Sequence, residues 1–181
     1  MIDAANFESI ETLKNGTVVK VRSVRADDKG RFSEAFRNLE AESIYTRFFH
    51  HKKTLTDADL KAATEIDFEN VVALVVTVGE GEEEVIIGGA RYVCLGAEKP
   101  PRSAEVAFNV EEDYHRQWIA GRLLRHLAGI AREKGLSRLE AEVLAENQAM
   151  IRVFERSGLP TKSRFEGGTV HVTMSLAEEA G

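Results

Sequence analysis

The hydrophobic positions along the chain predict a β-α-α-β-β-β-α-β-α-β-β order of elements. Alternation and short apolar runs predict strands at residues 17–24, 71–78, 85–95, 104–110, 139–144, 161–165 and 169–176. Apolar residues at helical spacing predict helices that begin after Asp27–Asp28, at Thr56–Asp57, before Leu123 and at Gln148. Such an order implies an α/β (α+β) fold, a mixed, mostly antiparallel sheet of about seven strands with about four helices packed on it.

Length and composition suit an ordinary globular domain. The chain has 181 residues, 43% of them hydrophobic and 30% charged, which predicts a single domain over residues 13–181 after a loosely attached extension, residues 1–12. A net charge of −6 argues against general nucleic-acid binding. The start of the chain lacks a signal-peptide pattern and the apolar run at 71–78 is too short to span a bilayer, so a cytoplasmic location is expected.

Cysteine and histidine residues give no sign of disulfide or metal chemistry. Cys94 is the one cysteine, which excludes an intramolecular disulfide. His50 and His51 are adjacent and diverge on any regular element, so they do not predict a metal site.

A strand–turn–helix in the second half of the chain carries the most informative chemistry. Residues 104–110 form the strand, which bears Glu105, and arginines cluster where the following helix begins, at Arg116 and Arg122. The N–H groups at a helix N-terminus attract phosphate. This segment therefore predicts a phosphorylated ligand beside a possible general base, although the arginines alone are more typical of a solvated helix face.

The same segment resembles the acetyl-CoA-binding motif of the GNAT superfamily of N-acetyltransferases, Gln/Arg-x-x-Gly-x-Gly/Ala. Arg116 fills its first position and Gly121 its last, while Ile119 stands where the first glycine is expected. Further segments resemble the catalytic domain of bacterial Pat-type protein lysine acetyltransferases: residues 15–22, 43–49, 87–92, 104–107 and 147–159. The resemblance as a whole extends over residues 13–176.

This resemblance implies acetyl-CoA as cofactor and assigns residues to it. The pyrophosphate would be held by Arg116, Gln117, Trp118, Ile119, Ala120, Gly121 and Arg122. Backbone N–H groups near Asn109 and Val110 would stabilise the oxyanion, and Asn147 would bond the pantetheine arm, or simply cap a helix. Phe154 occupies the place where many members have a tyrosine that protonates the leaving thiolate, so CoA would leave unassisted. Of residues 45–49, Tyr45, Arg47, Phe48 and Phe49 would line the substrate side, or would simply pack in the core.

Glu105 is the candidate general base. A lysine amine, with a pKa of about 10.4, arrives protonated at neutral pH and must lose a proton before it attacks. On the strand, Glu105 points away from the apolar side formed by Val106 and Phe108, which leaves room for a substrate. An ordinary surface glutamate is the alternative, and the resemblance to the Ala-Glu-x-Ala segment of Pat-type enzymes favours the catalytic interpretation.

Three functions remain open from the sequence. The first is acetylation of a protein lysine, for example on an acyl-CoA synthetase, by a monomer or homodimer. The second is acetylation of a small-molecule amine, which an enclosed acceptor pocket would favour. The third is a non-catalytic acyl-CoA sensor, which Ile119 and Phe154 keep open. Phe154 lacks a proton to donate, and the branched side chain of Ile119 restricts the backbone where glycine turns freely.

Overall fold

One eight-stranded sheet is the frame of the computed structural model, which describes residues 3–37, 56–95, 102–110 and 119–176. Its strand order is β1-β2-β3-β4-β5-β6-β8-β7. The strands are β1 (Glu8–Thr12), β2 (Val18–Ser23), β3 (Val71–Val78), β4 (Val85–Leu95), β5 (Ser103–Val110), β6 (Arg138–Leu144), β7 (Thr161–Glu166) and β8 (Thr169–Ser175). Neighbouring strands are antiparallel except β5 and β6, which the helix between them joins in a parallel crossover.

Four helices occur in the described residues, each where the hydrophobic pattern predicts one: α1 (Lys29–Arg37), α2 (Asp57–Thr64), α3 (Ile119–Glu133) and α4 (Gln148–Glu155). Thr56 caps α2 by accepting a hydrogen bond from the N–H of Asp59 at 3.1 Å. None of these helices has the length and apolar character needed to cross a bilayer. The predicted α/β architecture and its mostly antiparallel sheet are confirmed.

The two faces of the sheet carry different helices. The apolar residues of α3 and α4 pack with Leu74, Tyr92 and Val106 in the main core. On the opposite face, Ala73 and Val75 of β3 pack against Phe32 of α1 in a smaller cluster. The face that bears α1 and α2 is called the open face below, because apart from the buried Ser103 its described side chains on β5, β6 and β8 are half-buried or exposed.

The N-terminal segment belongs to the sheet. β1 pairs with β2 from Glu8 opposite Arg22 to Thr12 opposite Val18, and Ala4 is buried in the core. The expectation that residues 1–12 are loosely attached is therefore wrong for residues 3–12. β1 is a polar edge strand, so its own sequence gives little sign that it pairs with β2.

A buried ion network fixes the start of α1. Arg22 is 4% exposed, and its guanidinium donates to both carboxylate oxygens of Asp28, at 2.9 and 2.8 Å. It also donates to both oxygens of Glu84, at 3.2 and 3.1 Å, and Asp28 accepts from the backbone N–H of Arg25 at 2.7 Å. The network joins β2, the first turn of α1 and the β3–β4 connection, and so positions one side of the open face.

Candidate active site

Glu105 lies on the open face, as its strand alternation predicts. Its neighbours Ala104 and Val106 are buried on the other side of β5, and Glu105 itself is exposed. In the sheet it stands between Val93 of β4 and Glu140 of β6. The carboxylate is therefore accessible to a ligand on the side of the sheet that also carries α1 and α2.

The parallel strands β5 and β6 separate directly after Glu105. β5 pairs with β6 only from Ser103 to Glu105, although β5 continues to Val110 and β6 to Leu144. Over the same length β5 remains paired with β4, up to Val110 opposite Gly88. Alternate backbone groups of residues 106–110 consequently face the gap, where an extended, amide-bearing chain can add to the strand edge. Asn109 and Val110, the predicted oxyanion donors, belong to this edge.

The first residues of α3 present backbone rather than side chains. Ile119 is 1% exposed and its side chain packs in the main core, and Ala120 is also buried. Gly121 has open space where a Cβ would stand. Among the described residues, the N–H groups of this first turn have no partner within the helix, which suits a phosphate. The branched side chain of Ile119 is thus directed away from this turn; Arg116, Gln117 and Trp118 lie outside the described residues, as do residues 45–49.

Arg122 is engaged by the N-terminal strand. Its guanidinium donates to a carboxylate oxygen of Glu11 at 2.8 Å and to the backbone carbonyl of Thr12 at 3.1 Å. His126, one turn further along α3, lies 2.6 Å from the other oxygen of Glu11. A phosphate contact by Arg122 would therefore have to share the guanidinium with Glu11.

Asn147 and Phe154 lie on and beside α4. The side-chain oxygen of Asn147 accepts from the backbone N–H of Met150 at 3.3 Å, so the predicted helix cap is present. Phe154 is 1% exposed and meets Phe108 of β5 edge-on, with the ring centroids 5.8 Å apart. Phe154 is thus a core residue directly behind the strand edge that follows Glu105.

The structure also brings three polar residues to the open face that the sequence analysis missed. Glu140 and Glu142 of β6 flank His171 of β8: Nε2 of His171 lies 3.0 Å from Glu140 and Nδ1 lies 2.6 Å from Glu142. The alternation of β6 is consistent with the two glutamates sharing a face, but nothing in the sequence indicates that β8 pairs with β6.

A charged cavity of about 390 Å³ lies elsewhere, near the buried Arg22 network. Its lining includes Lys20, Arg25 and Glu82, and none of the residues predicted to bind the cofactor or to catalyse transfer. The opening between β5 and β6 is therefore the candidate active site.

Comparison with known proteins identifies the family. The model of the acetyltransferase (GNAT) family matches residues 34–159, more than half of the chain and the whole strand–turn–helix described above. The chain belongs to this family. It is accordingly a GNAT acetyltransferase, with acetyl-CoA as its cofactor.

This GNAT chain is similar to bacterial acetyltransferases in both sequence and structure. The acetyltransferase PA5475 of Pseudomonas aeruginosa is 28% identical over 141 residues, which are 78% of this chain and 74% of that protein. The acetyltransferase Pat of Mycolicibacterium smegmatis is 32% identical over 146 residues, 81% of this chain, and the match spans only 42% of Pat. The solved GNAT domain of S. lividans PAT is 35% identical with a TM-score of 0.85, and the match covers 93% of this chain and 96% of that one.

The described residues fit acetyl-CoA. The free edge of residues 106–110 can receive the two amides of a pantetheine arm, and the open space at Gly121 lets a pyrophosphate approach the helix backbone. Ile119 does not obstruct that approach, because its side chain is buried in the core.

Proposed function

We propose that the protein is an acetyl-CoA-dependent N-acetyltransferase that modifies a protein lysine, with Glu105 as the general base. The position of Glu105 carries the proposal. It is the last residue of β5 that pairs with β6, so its exposed carboxylate lies where the strand edge for the cofactor begins. A base at this position can reach the acceptor amine beside the acetyl group of the cofactor.

Acetyl-CoA supplies the acetyl thioester. Glu105 accepts one proton from the lysine ammonium, directly or through a water, and so frees the lone pair of the nitrogen. The C–N bond forms as the C–S bond breaks, and the second proton of the nitrogen leaves with the CoA thiol. Backbone N–H groups at Asn109 and Val110 stabilise the charge on the carbonyl oxygen, and Asn147 binds the pantetheine arm.

The buried Phe154 cannot donate a proton to the departing sulfur. A thiolate with a pKa near 8.5 is a fair leaving group without such help. The mechanism therefore depends on the base and on the positioning of the two substrates.

An open acceptor side supports a protein substrate. Glu105, Glu140 and His171 lie on a sheet face that the described helices leave accessible, and no described residues enclose them in a pocket. Similarity to the GNAT domain of S. lividans PAT and to the mycobacterial Pat points the same way. An acyl-CoA synthetase lysine is the acceptor we expect; action in the cytoplasm, as a monomer or homodimer, remains a prediction from the sequence.

The test combines binding and kinetics. Calorimetric titration with acetyl-CoA should give one-to-one, micromolar binding that Glu105→Gln leaves unchanged. With an acyl-CoA synthetase as acceptor, Glu105→Gln should lower kcat by at least about 100-fold. Glu155→Gln, an exposed glutamate on α4, is the matched control and should behave as wild type.

Two results would count against the proposal. Undiminished acetylation by Glu105→Gln would exclude Glu105 as the base. Faster acetylation of small free amines than of any protein lysine would replace the protein acceptor with a small molecule.

A further inference from the structure

The open face continues from Glu105 onto the neighbouring strand. Glu105 and Glu140 are register partners on the parallel strands β5 and β6, so both side chains project from the same face, on strands about 4.8 Å apart. The side chain of Glu140 is 16% exposed, which makes it the more enclosed of the two carboxylates. The geometry thus places a second carboxylate beside the proposed base.

His171 holds Glu140 in place. Its two ring nitrogens face two carboxylates, Glu140 at 3.0 Å and Glu142 at 2.6 Å, so both nitrogens donate only when the ring is protonated. The hydrogen bond with Glu142 raises the pKa of His171, burial opposes the change and the bond with Glu140 adds to it. From β7, the exposed Arg164 is the charged residue that pairs with His171 in register.

One oxygen of Glu140 remains available. His171 occupies Oε1, whereas Oε2 forms only a long ion pair, 3.7 Å from Nε of the exposed Arg138 and beyond hydrogen-bond length. Among the described residues, Oε2 makes no hydrogen bond, and it belongs to the carboxylate next to Glu105. An acceptor ammonium therefore finds two carboxylates side by side, one of which is already oriented.

We propose that Glu140, positioned by His171, is the acceptor-binding carboxylate of this acetyltransferase and selects acceptors that arrive as alkylammonium ions. The inference rests on the proposed function, in which Glu105 removes the proton. A single carboxylate that both bound the ammonium and deprotonated it would lose its charge attraction at the moment of transfer. Glu140 attracts the ammonium as it arrives and then accepts a hydrogen bond from an N–H that the amine keeps, so the amine stays in place while Glu105 takes the proton. An acceptor that arrives neutral lacks the charge attraction.

The experiment measures acetylation of a lysine peptide at saturating acetyl-CoA. Glu140→Gln should raise KM for the peptide about tenfold, with kcat within about threefold of wild type. Its affinity for acetyl-CoA, measured by calorimetry, should not change. Glu142→Gln is the comparison variant: Glu142 contacts the same histidine from the same strand but is not paired with Glu105, so its substitution acts only through His171 and should raise KM by no more than about threefold.

His171→Gln provides an independent variant. It should raise KM about threefold at neutral pH, and the difference from wild type should shrink as the pH rises and the wild-type ring loses its proton. A purely structural histidine would instead lower the amount of folded protein without a pH-dependent KM, which thermal unfolding of each variant detects.

Failure of this inference is distinct from failure of the proposed function. If Glu105→Gln is inactive but Glu140→Gln and Glu142→Gln have equal KM values, Glu140 does not bind the acceptor and the base assignment stands. If Glu140→Gln lowers kcat alone, its role is not acceptor binding. If Glu105→Gln retains full activity, the proposed function itself is overturned.

Discussion

Glu11 of β1 and Arg122 of α3 form an ion pair at 2.8 Å across 111 residues of sequence. The same carboxylate lies 2.6 Å from His126, and the ring of Phe7 packs 5.0 Å from that of His126. The N-terminal strand is thereby attached to the first two turns of the helix whose N-terminus is proposed to bind the cofactor. Anything that displaces β1 would change the position of that helix.

The Glu11 contacts predict a pH-dependent contribution to stability. Burial alone would raise the pKa of Glu11, but hydrogen bonds from His126 and Arg122 outweigh it and lower the pKa. A lowered pKa gives stability that is present above the ordinary glutamate value of about 4.3 and lost as the pH falls through the folded-state pKa. Glu11→Gln should therefore lower the free energy of unfolding by about 1–2 kcal/mol at pH 7 and by less at pH 3.

Urea unfolding at both pH values measures this difference. Glu8→Gln, on the same strand but exposed and 4.0 Å from Lys20, should change the free energy of unfolding by less than about 0.5 kcal/mol. Equal effects of the two substitutions would show that Glu11 does not fix β1 to α3.

Gly121 separates cofactor binding from stability. A Cβ at this position meets open space, so Gly121→Ala should stabilise α3 by up to about 1 kcal/mol. The acetyl-CoA motif accepts alanine as well as glycine at this position, so Gly121→Ala should leave the Kd for acetyl-CoA within about threefold of wild type. Gly121→Asp, which would add a carboxylate at the proposed pyrophosphate site, should raise that Kd at least about tenfold. Gly30→Ala in α1, where a Cβ also meets open space, should stabilise without changing the Kd. Unchanged acetyl-CoA binding by Gly121→Asp would argue against a phosphate site at this turn.

Replacing Ile119 with the glycine of the family motif should lower the stability of the fold. Its side chain is 1% exposed in the main core, so Ile119→Gly removes a buried side chain and should lower the free energy of unfolding by about 3–5 kcal/mol. Ile10→Ala, at a position that is 68% exposed, should lower it by less than about 1 kcal/mol. Chemical denaturation of the two variants tests this; a stable Ile119→Gly with tighter acetyl-CoA binding would mean that the isoleucine only hinders the loop.

The buried Arg22 network predicts acid sensitivity. Burial alone would raise the pKa of Asp28, but hydrogen bonds from Arg22 and from the backbone of Arg25 bring it below the ordinary value. Its contribution is therefore present above about pH 4 and is lost as the pH falls through the lowered pKa. Asp28→Asn should lower the free energy of unfolding by about 3–5 kcal/mol at pH 7, because it breaks a buried ion pair. The difference from wild type should become smaller at acidic pH.

Asp27→Asn is the matched control, since the side chain of Asp27 is 74% exposed. Its free energy of unfolding, measured with heat and urea at pH 7, should lie within about 0.5 kcal/mol of the wild-type value. If the two asparagine variants were equally stable, the network would not anchor α1.

The parts of the fold that could be predicted are those that a local pattern determines. The apolar side of α3 is visible from the spacing of Leu123, Leu124 and Leu127, all of which are buried. The alternation around Glu105 correctly predicted an accessible carboxylate opposite the buried Val106. β1 was missed because its exposed Glu8, Ile10 and Thr12 do not form an apolar side of the kind that marks a strand.

The sequence by itself determined the order of helices and strands, the GNAT resemblance and the direction in which Glu105 points, because each depends on residues only a few positions apart. Only the tertiary structure decided that Glu11 binds Arg122 and that His171 joins Glu140 to Glu142. Those contacts span 29 to 111 residues and depend on which strands become neighbours. Strand order is decided by the packing of the whole sheet, which periodicity along the chain does not record.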